Sequence, residues 1–370
     1  MTLPLRPDFI GEEPYGAPQL DVPIVLNTNE NPYAPHDVVV NEIAARVGEA
    51  AKGLNRYPDR ELMALRQGLA DYLALESNVD VPATQLWAAN GSNEIMLQIL
   101  QAFSGPDRVV MTFTPSYSMY SEYARNVYAK FVAIPRATDF RINIDAVPAT
   151  FAQHRPSVVL IASPNNPTGT ALDQADLRAV LEASVGAGPE VNGQVTDSIV
   201  VVDEAYGEFR RDGVPSSLEL LAEYPNLVVS RMMSKAFGAA GLRLGYMAAS
   251  QTIIDMVRIV RLPYHLSAIS QAAALAALEH RDSLMEQVGA IRADRDALAQ
   301  TLRGMGLEVA ASDANFIMFG TFENRHAVWQ KLLDQGILIR EVGPEGWLRV
   351  SIGTPHENEA FIAGLKEAMT

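Results

Sequence analysis

The sequence predicts an α/β protein. A large domain is built on a parallel or mostly parallel sheet with helices on both faces, and a smaller α+β domain follows it. Three observations lead there. Arg108–Phe113, Val158–Ala162, Ser198–Val202 and Leu227–Ser230 are short apolar runs rich in β-branched residues. Amphipathic segments, about 117–126 and 173–184, lie between some of them. Strands buried on both faces lose the apolar/polar alternation of half-exposed strands, and crossover helices cover them. Beyond residue 303 the order changes to strand candidates Ala314–Phe319, Ile337–Arg340 and Trp347–Ile352, with helices near 323–335 and 356–368.

Residues 1–35 are rich in Pro, Gly and Asn and read as an arm draped on the body. The arm carries Tyr15 and Asn27, the latter within Leu26-Asn27-Thr28-Asn29-Glu30-Asn31-Pro32. Residues 37–52 and 60–75 have apolar residues at helical spacing, and the polar loop between them contains Tyr57. Leu86–Glu94 reads as a short strand, a glycine turn and a helix start, with Ser92 or Asn93 as N-cap. Such a start offers unbonded backbone N–H groups and the positive end of the helix dipole, which suit a phosphate. Residues 251–303 are mainly helical, with a long Ala/Leu-rich stretch from Ser267 of the kind that links two domains. The expected division is an arm 1–35, a large domain 36–262 and a small domain 263–370 that takes in part of the arm.

Of 370 residues, 48% are hydrophobic and 20% charged, which is enough for more than one domain and a large core. A formal net charge of −15 argues against nucleic acid or anionic membrane as partner. The absence of cysteine excludes a disulfide framework, a thiol nucleophile and a zinc–thiolate site. The six histidines form no His-x-x-x-His pair, so no metal site is expected. No run approaches membrane-spanning length, the N-terminus lacks a signal-peptide layout, and a cytoplasmic location is expected.

In open α/β sheets, ligands sit at the carboxyl ends of the strands. Polar residues gather there: Thr114-Pro115-Ser116-Tyr117, Ser163-Pro164-Asn165-Asn166, Asp203-Glu204-Ala205-Tyr206 and Ser234-Lys235. Apolar residues followed by Asp203-Glu204 also suit the magnesium strand of a P-loop ATPase, but the chain has no Gly-Lys-Ser/Thr and no Gly-x-Gly-x-x-Gly. Lys235 beside Ser234, with Arg243 between Gly241 and Gly245, suits pyridoxal phosphate better. The lysine takes the aldehyde as a Schiff base and the arginine takes the phosphate. Asp203 can pair with the pyridine nitrogen, Tyr206 and Asn166 can donate to the ring's phenolic oxygen, and Tyr117 can stack on the ring. The phosphate would meet the glycine turn at Gly91, the N–H groups of Ser92 and Asn93, the Ser234 hydroxyl and Arg243.

In order along the chain, several stretches resemble the fold-type I aminotransferases, and more closely the histidinol-phosphate aminotransferase family. They are Leu26–Pro32, Arg56-Tyr57-Pro58, Asn90–Glu94, Ser163–Gly169, Val202–Tyr206, Ser234–Gly238, Gly241–Tyr246 and Leu348–Thr354. Asn93 stands where relatives often carry Asp. The resemblance implies a seven-stranded sheet, pyridoxal phosphate, and a homodimer in which Tyr57 reaches the partner's cofactor phosphate. It implies exchange of an amino group between glutamate/2-oxoglutarate and histidinol phosphate/imidazole-acetol phosphate, with Lys235 moving the proton. Tyr15, Asn27, Arg340 and Arg349 become candidates for the anionic groups of the substrates. An aromatic amino-acid aminotransferase and a phosphothreonine-type decarboxylase remain alternatives on this scaffold. A ligand-sensing regulator also remains, although the arm is too short and too rich in Pro for a helix-turn-helix.

Overall fold

The computed structural model describes residues 3–14 and 16–370. Its centre is a seven-stranded sheet: β1 (Leu86–Ala89), β2 (Val109–Thr114), β3 (Lys130–Pro135), β4 (Val158–Ala162), β5 (Ile199–Asp203), β6 (Leu227–Met232) and β7 (Gly245–Ala249), in the order β1-β7-β6-β5-β4-β2-β3. β7 runs antiparallel to both β1 and β6, while the other neighbours are parallel. Every residue of β4 is buried, as are Val200, Val201, Val202, Leu227, Val228 and Val229. That burial explains the near-continuous apolar runs.

Helices α1 (Asp37–Ala51), α2 (Met63–Glu76), α3 (Ser92–Phe103), α4 (Met119–Asn126), α5 (Val147–His154), α6 (Gln174–Ser184) and α7 (Gln251–Val260) accompany this sheet. The helical region after it divides into α8 (Ala268–Glu279) and α9 (Arg281–Gly304), broken at His280. α2 begins three residues later than expected. Asp59 accepts from the N–H groups of Glu61 and Met63, and Leu62 takes a left-handed conformation (φ 58°) before the first turn. α6 begins where its pattern places it, because the Asp173 carboxylate accepts from Ala175 N–H.

A second antiparallel sheet holds β8 (Glu308–Val309), β9 (Phe316–Gly320) and β10 (Leu348–Ser351) in that order, with α10 (Arg325–Asp334) and α11 (Pro355–Ala368). α11 starts in a capping box between Thr354 and Glu357. The segment 24–30 is fixed to this layer. Ile24–Val25 pairs in parallel with Ile337–Leu338, Ser351 N–H donates to Leu26 O at 2.9 Å, and Asn29 N–H donates to Ser351 Oγ at 2.8 Å. Among the described residues no helix is long and apolar enough to cross a membrane.

Behind the carboxyl ends of β5 and β6 lies a buried ionic cluster. Arg231, 1% exposed, contacts Glu204 at 2.8 Å, Glu76 at 2.6 Å and Glu208 at 3.5 Å, and Arg210 adds a contact to Glu204 at 3.1 Å. Burial alone would raise the Glu204 carboxyl, but Arg231 and Arg210 hold it down at about 2. Removing one member strands charge that water cannot reach. Arg231→Ala should therefore lower unfolding free energy by about 3–5 kcal/mol, measured by urea titration. A loss within ordinary surface-mutation scatter would show that the cluster is not structural.

Candidate active site

Where the parallel strands end, a cavity of about 480 Å³ opens. Its walls come from residues 27–30, the loop after β2, Asn166 after β4, the end of β5, Ser234 and Lys235 after β6, the start of α3, and Arg340 and Arg349 from the smaller layer. Sheet register brings the chemistry together: Asp203 lies beside Ala162 on one side and Ser230 on the other.

One end is built for an anion. Gly91, not Ser92 or Asn93, is the N-cap of α3, at φ 83°. The reason is close packing against β7: a Cβ on Gly245 would lie 2.3 Å from Ser92 N, so backbone rather than a capping side chain occupies the turn. The first amide to bond back within the turn is that of Glu94, to Gly91 O at 3.2 Å, and the amides of Ser92 and Asn93 precede it. Asn93 spends its Oδ1 on the Tyr123 hydroxyl at 2.8 Å. Ser234 Oγ is buried without a partner among the described residues. Arg243, at φ 56°, donates to Ala240 O at 3.2 Å, and its guanidinium crosses the space a Gly91 Cβ would take, 2.9 Å from Nη2. Gly91 thus clears room for the arginine. Two amides, a hydroxyl and a guanidinium make an anion cup.

Asp203 ends β5, 5% exposed. Its Oδ2 accepts from Tyr120 at 3.2 Å, and its Oδ1 is buried without a side-chain or backbone partner within hydrogen-bond distance among the described residues. Burial raises this carboxyl to about 6, against the hydrogen bonds from Tyr120 and the Ala205 backbone. Lys235 Nζ donates to Thr28 O at 3.0 Å. Burial, and after it the positive Arg349, lowers the amine to about 8. The Tyr206 hydroxyl accepts from Asn29 Nδ2 at 3.0 Å, and Tyr117 lines the cavity with its ring edge-on to Tyr120 at 5.7 Å.

Arg349 sits 6% exposed over the Phe316 ring, donating to Asn166 Oδ1 at 2.6 Å and Asn27 O at 2.8 Å. With its oxygen so engaged, Asn166 keeps its NH₂ for donation. Arg340, joined to Arg349 by a pair of backbone hydrogen bonds of 2.9 Å, lines the cavity and reaches Gly16 O at 3.5 Å. Asn27 lines it too, but its Nδ2 donates to Pro18 O at 2.8 Å, and the atom left unpaired among the described residues is Oδ1. An oxygen acceptor suits an N–H better than an anion. Tyr15 lies outside the described residues. Tyr57 is not among the residues lining this cavity; it is 79% exposed and stacked on Tyr264 at 4.4 Å.

Sequence reasoning missed Tyr120, Thr28, Asn29 and Glu30. The signal for Tyr120 was its spacing of three from Tyr117 in an amphipathic segment, which puts both on one side. The other three lie in the arm, where nothing periodic marks which residues face inward.

The sequence pattern of the family described as aminotransferase class I and II matches residues 21–365. The histidinol-phosphate aminotransferase of Thermobifida fusca (strain YX) is 55% identical over 99% of this chain and 95% of its own length. That of Bifidobacterium longum (strain NCC 2705) is 54% identical over 100% and 97%. In structure, the chain resembles the histidinol-phosphate aminotransferase of Sinorhizobium meliloti, solved in complex with pyridoxal-5′-phosphate (TM-score 0.82, 24% identity, covering 94% of this chain and 91% of that one). It also resembles the N-succinyldiaminopimelate aminotransferase of Mycobacterium tuberculosis (TM-score 0.78, 21% identity, covering 93% and 92%).

The unpaired oxygen of Asp203 has a cost that can be measured without ligand. An acid whose folded value, about 6, exceeds its unfolded value, 3.8, costs no stability below the lower value. The penalty grows between the two and is complete above the higher. Asp203→Asn should therefore be more stable than the parent at pH 8 by about 2–3 kcal/mol, the gain shrinking toward pH 4. Urea unfolding of the ligand-free proteins at both pH values tests this, and a variant less stable at pH 8 would contradict it.

Proposed function

The chain belongs to the aminotransferase class I and II family, and on that footing we propose that it is a pyridoxal-phosphate-dependent histidinol-phosphate aminotransferase of histidine biosynthesis, working in the cytoplasm. It moves an amino group from glutamate to imidazole-acetol phosphate, leaving 2-oxoglutarate and histidinol phosphate, and runs in either direction. The observation that carries the reading is the cavity's layout. A buried acid with one unpaired oxygen, an amine lowered to about 8 and an anion cup line the same cavity.

Those residues fit the cofactor. Asp203 Oδ1 is the buried acceptor a protonated ring nitrogen needs, and Ser234 Oγ is a buried donor at the phosphate end. Pyridoxal phosphate, when bound, supplies a carbon that takes amines and a ring that withdraws electrons from the substrate carbon. The protein does the rest. The Asp203 carboxylate holds the proton on the ring nitrogen, and Ser92 N–H, Asn93 N–H, Ser234 and Arg243 bind the phosphate. Tyr206 and the NH₂ of Asn166 orient the phenolic oxygen, and Tyr117 covers a ring face. Lys235, its amine lowered to about 8, would serve as the nucleophile toward the cofactor's carbonyl carbon and would move a proton at the substrate's Cα.

Substrate recognition rests on two arginines that line the cavity. Arg349, buried beside Asn166, meets the carboxylate nearest the reacting carbon of glutamate. Arg340, which lines the cavity and among the described residues reaches Gly16 O at 3.5 Å, meets the phosphate of histidinol phosphate, with Tyr15 as the further candidate from the arm. Asn27 Oδ1 is left for an imidazole N–H. We further infer a homodimer in which exposed Tyr57 completes the phosphate site of the other subunit; its neighbour Tyr264 and the exposed Ile259 and Leu262 supply apolar surface for that contact.

Steady-state turnover with histidinol phosphate and with phenylalanine, each with 2-oxoglutarate, tests the assignment. Arg340→Ala should lower kcat/KM for histidinol phosphate about ten- to hundredfold, the loss of one charge-assisted contact. The loss with phenylalanine should be smaller. Equal losses would favour an aromatic amino-acid aminotransferase. Mixing inactive Lys235→Ala subunits with inactive Tyr57→Ala subunits should restore activity in heterodimers. No recovery despite demonstrated subunit exchange would rule out a shared site.

A further inference from the structure

Tyrosines recur at three-residue intervals beside the cavity: Tyr117 just before α4, then Tyr120 and Tyr123 on it. Each touches a different part of the site. Tyr117 lines the cavity, the Tyr120 hydroxyl donates to Asp203 Oδ2 at 3.2 Å, and the Tyr123 hydroxyl donates to Asn93 Oδ1 at 2.8 Å. One short helix thus grips both the acid and the anion cup. Tyr120 is fully buried and Asp203 nearly so.

We propose that Tyr120 is a positioning residue for the reaction: its hydroxyl holds Asp203 Oδ2, turns Oδ1 toward the ring nitrogen, and keeps the buried carboxylate ionised. The proposal rests on the reading of Asp203 as partner of that nitrogen. A carboxylate rotates about its Cβ–Cγ bond unless one oxygen is fixed. Here Oδ2 is fixed by a donor that cannot reverse its role, because burial, and then the charge of Asp203, keep the Tyr120 hydroxyl protonated far above its usual range. The Ala205 backbone N–H also lowers Asp203, less than Tyr120 does, and the other side chains facing Asp203 do not replace the tyrosine. Glu204, next in the chain, is committed to Arg231 and Arg210 on the far side and raises Asp203. Lys235 and Arg349 line the same cavity, and Lys235 is bonded to Thr28 O. Tyr206 is bonded to Asn29.

The test follows the Asp203 carboxyl directly. In ligand-free protein carrying ¹³C at aspartate side-chain carboxyls, the Asp203 signal is assigned by its loss in Asp203→Asn. Tyr120→Phe should raise the Asp203 midpoint by roughly one to two pH units, the worth of one hydrogen bond to a charged group. Tyr120→3-fluorotyrosine, a stronger donor of nearly the same shape, should lower it, and decides the matter alone if the Phe variant does not fold. Tyr123→Phe should leave it unchanged and instead weaken pyridoxal phosphate binding several-fold, read by tryptophan fluorescence. In the loaded enzyme the acid limb of kcat should move with the Asp203 midpoint in Tyr120→Phe, with little loss of turnover well above the limb. An Asp203 midpoint unmoved by Tyr120→Phe, or moved equally by Tyr123→Phe, overturns the proposal. Parent-like turnover in Asp203→Asn overturns instead the ring-nitrogen reading beneath it, a failure the ligand-free titration keeps separate.

Discussion

The structure is organised around an unfavourable placement: a carboxylate at the buried end of a central strand, with one oxygen satisfied and the other not. Burial of that kind pushes the acid toward neutrality, and the fold counters it only in part. Tyr120 supplies a donor. Glu204, the next residue, is a second buried acid, but it faces away and is neutralised by Arg231 and Arg210. Two adjacent carboxyls on one strand end thereby take opposite characters, one near 2 and one near 6. The first anchors the fold, and the second is left for chemistry.

The remainder of the site is assembled across distant parts of the chain. Arg349 ties β10 to Asn166 after β4 and to the backbone of Asn27 in the N-terminal segment. Asn315 Nδ2 donates to Asn29 O at 2.9 Å, and Lys235 donates to Thr28 O. The segment 27–30 is therefore a wall of the cavity, fixed by the smaller layer on one side and by the lysine on the other. A cation buried beside the reactive amine also helps explain why that amine is lowered to about 8.

Much of this was legible in the sequence because burial on both faces leaves a clear trace. β4, β5 and β6 stand within two residues of their apolar runs, and Asn166, Asp203, Tyr206, Ser234 and Lys235, at or just after their ends, line the cavity, while Glu204 turns the other way. What escaped had no such trace. β3 is an edge strand, running from Lys130 to Pro135 with a mixed surface, and its sequence looks like linker. β7 is Gly-Tyr-Met-Ala-Ala, small residues following a glycine turn, and its antiparallel direction comes from tertiary packing against β1. The N-cap of α3 went to Gly91 because β7 presses on that turn, a contact invisible to local rules. The polarity left on Asn27 depends on Pro18 O, again a tertiary fact.

The central claim is that Asp203 Oδ1 is the partner of a protonated pyridine nitrogen. The ¹⁵N chemical shift of ring-labelled pyridoxal phosphate bound to the protein reads that proton directly. At pH 7.5 the parent should show a protonated nitrogen and Asp203→Asn an unprotonated one. An unprotonated nitrogen in the parent, or a protonated one that survives in Asp203→Asn, would contradict the account.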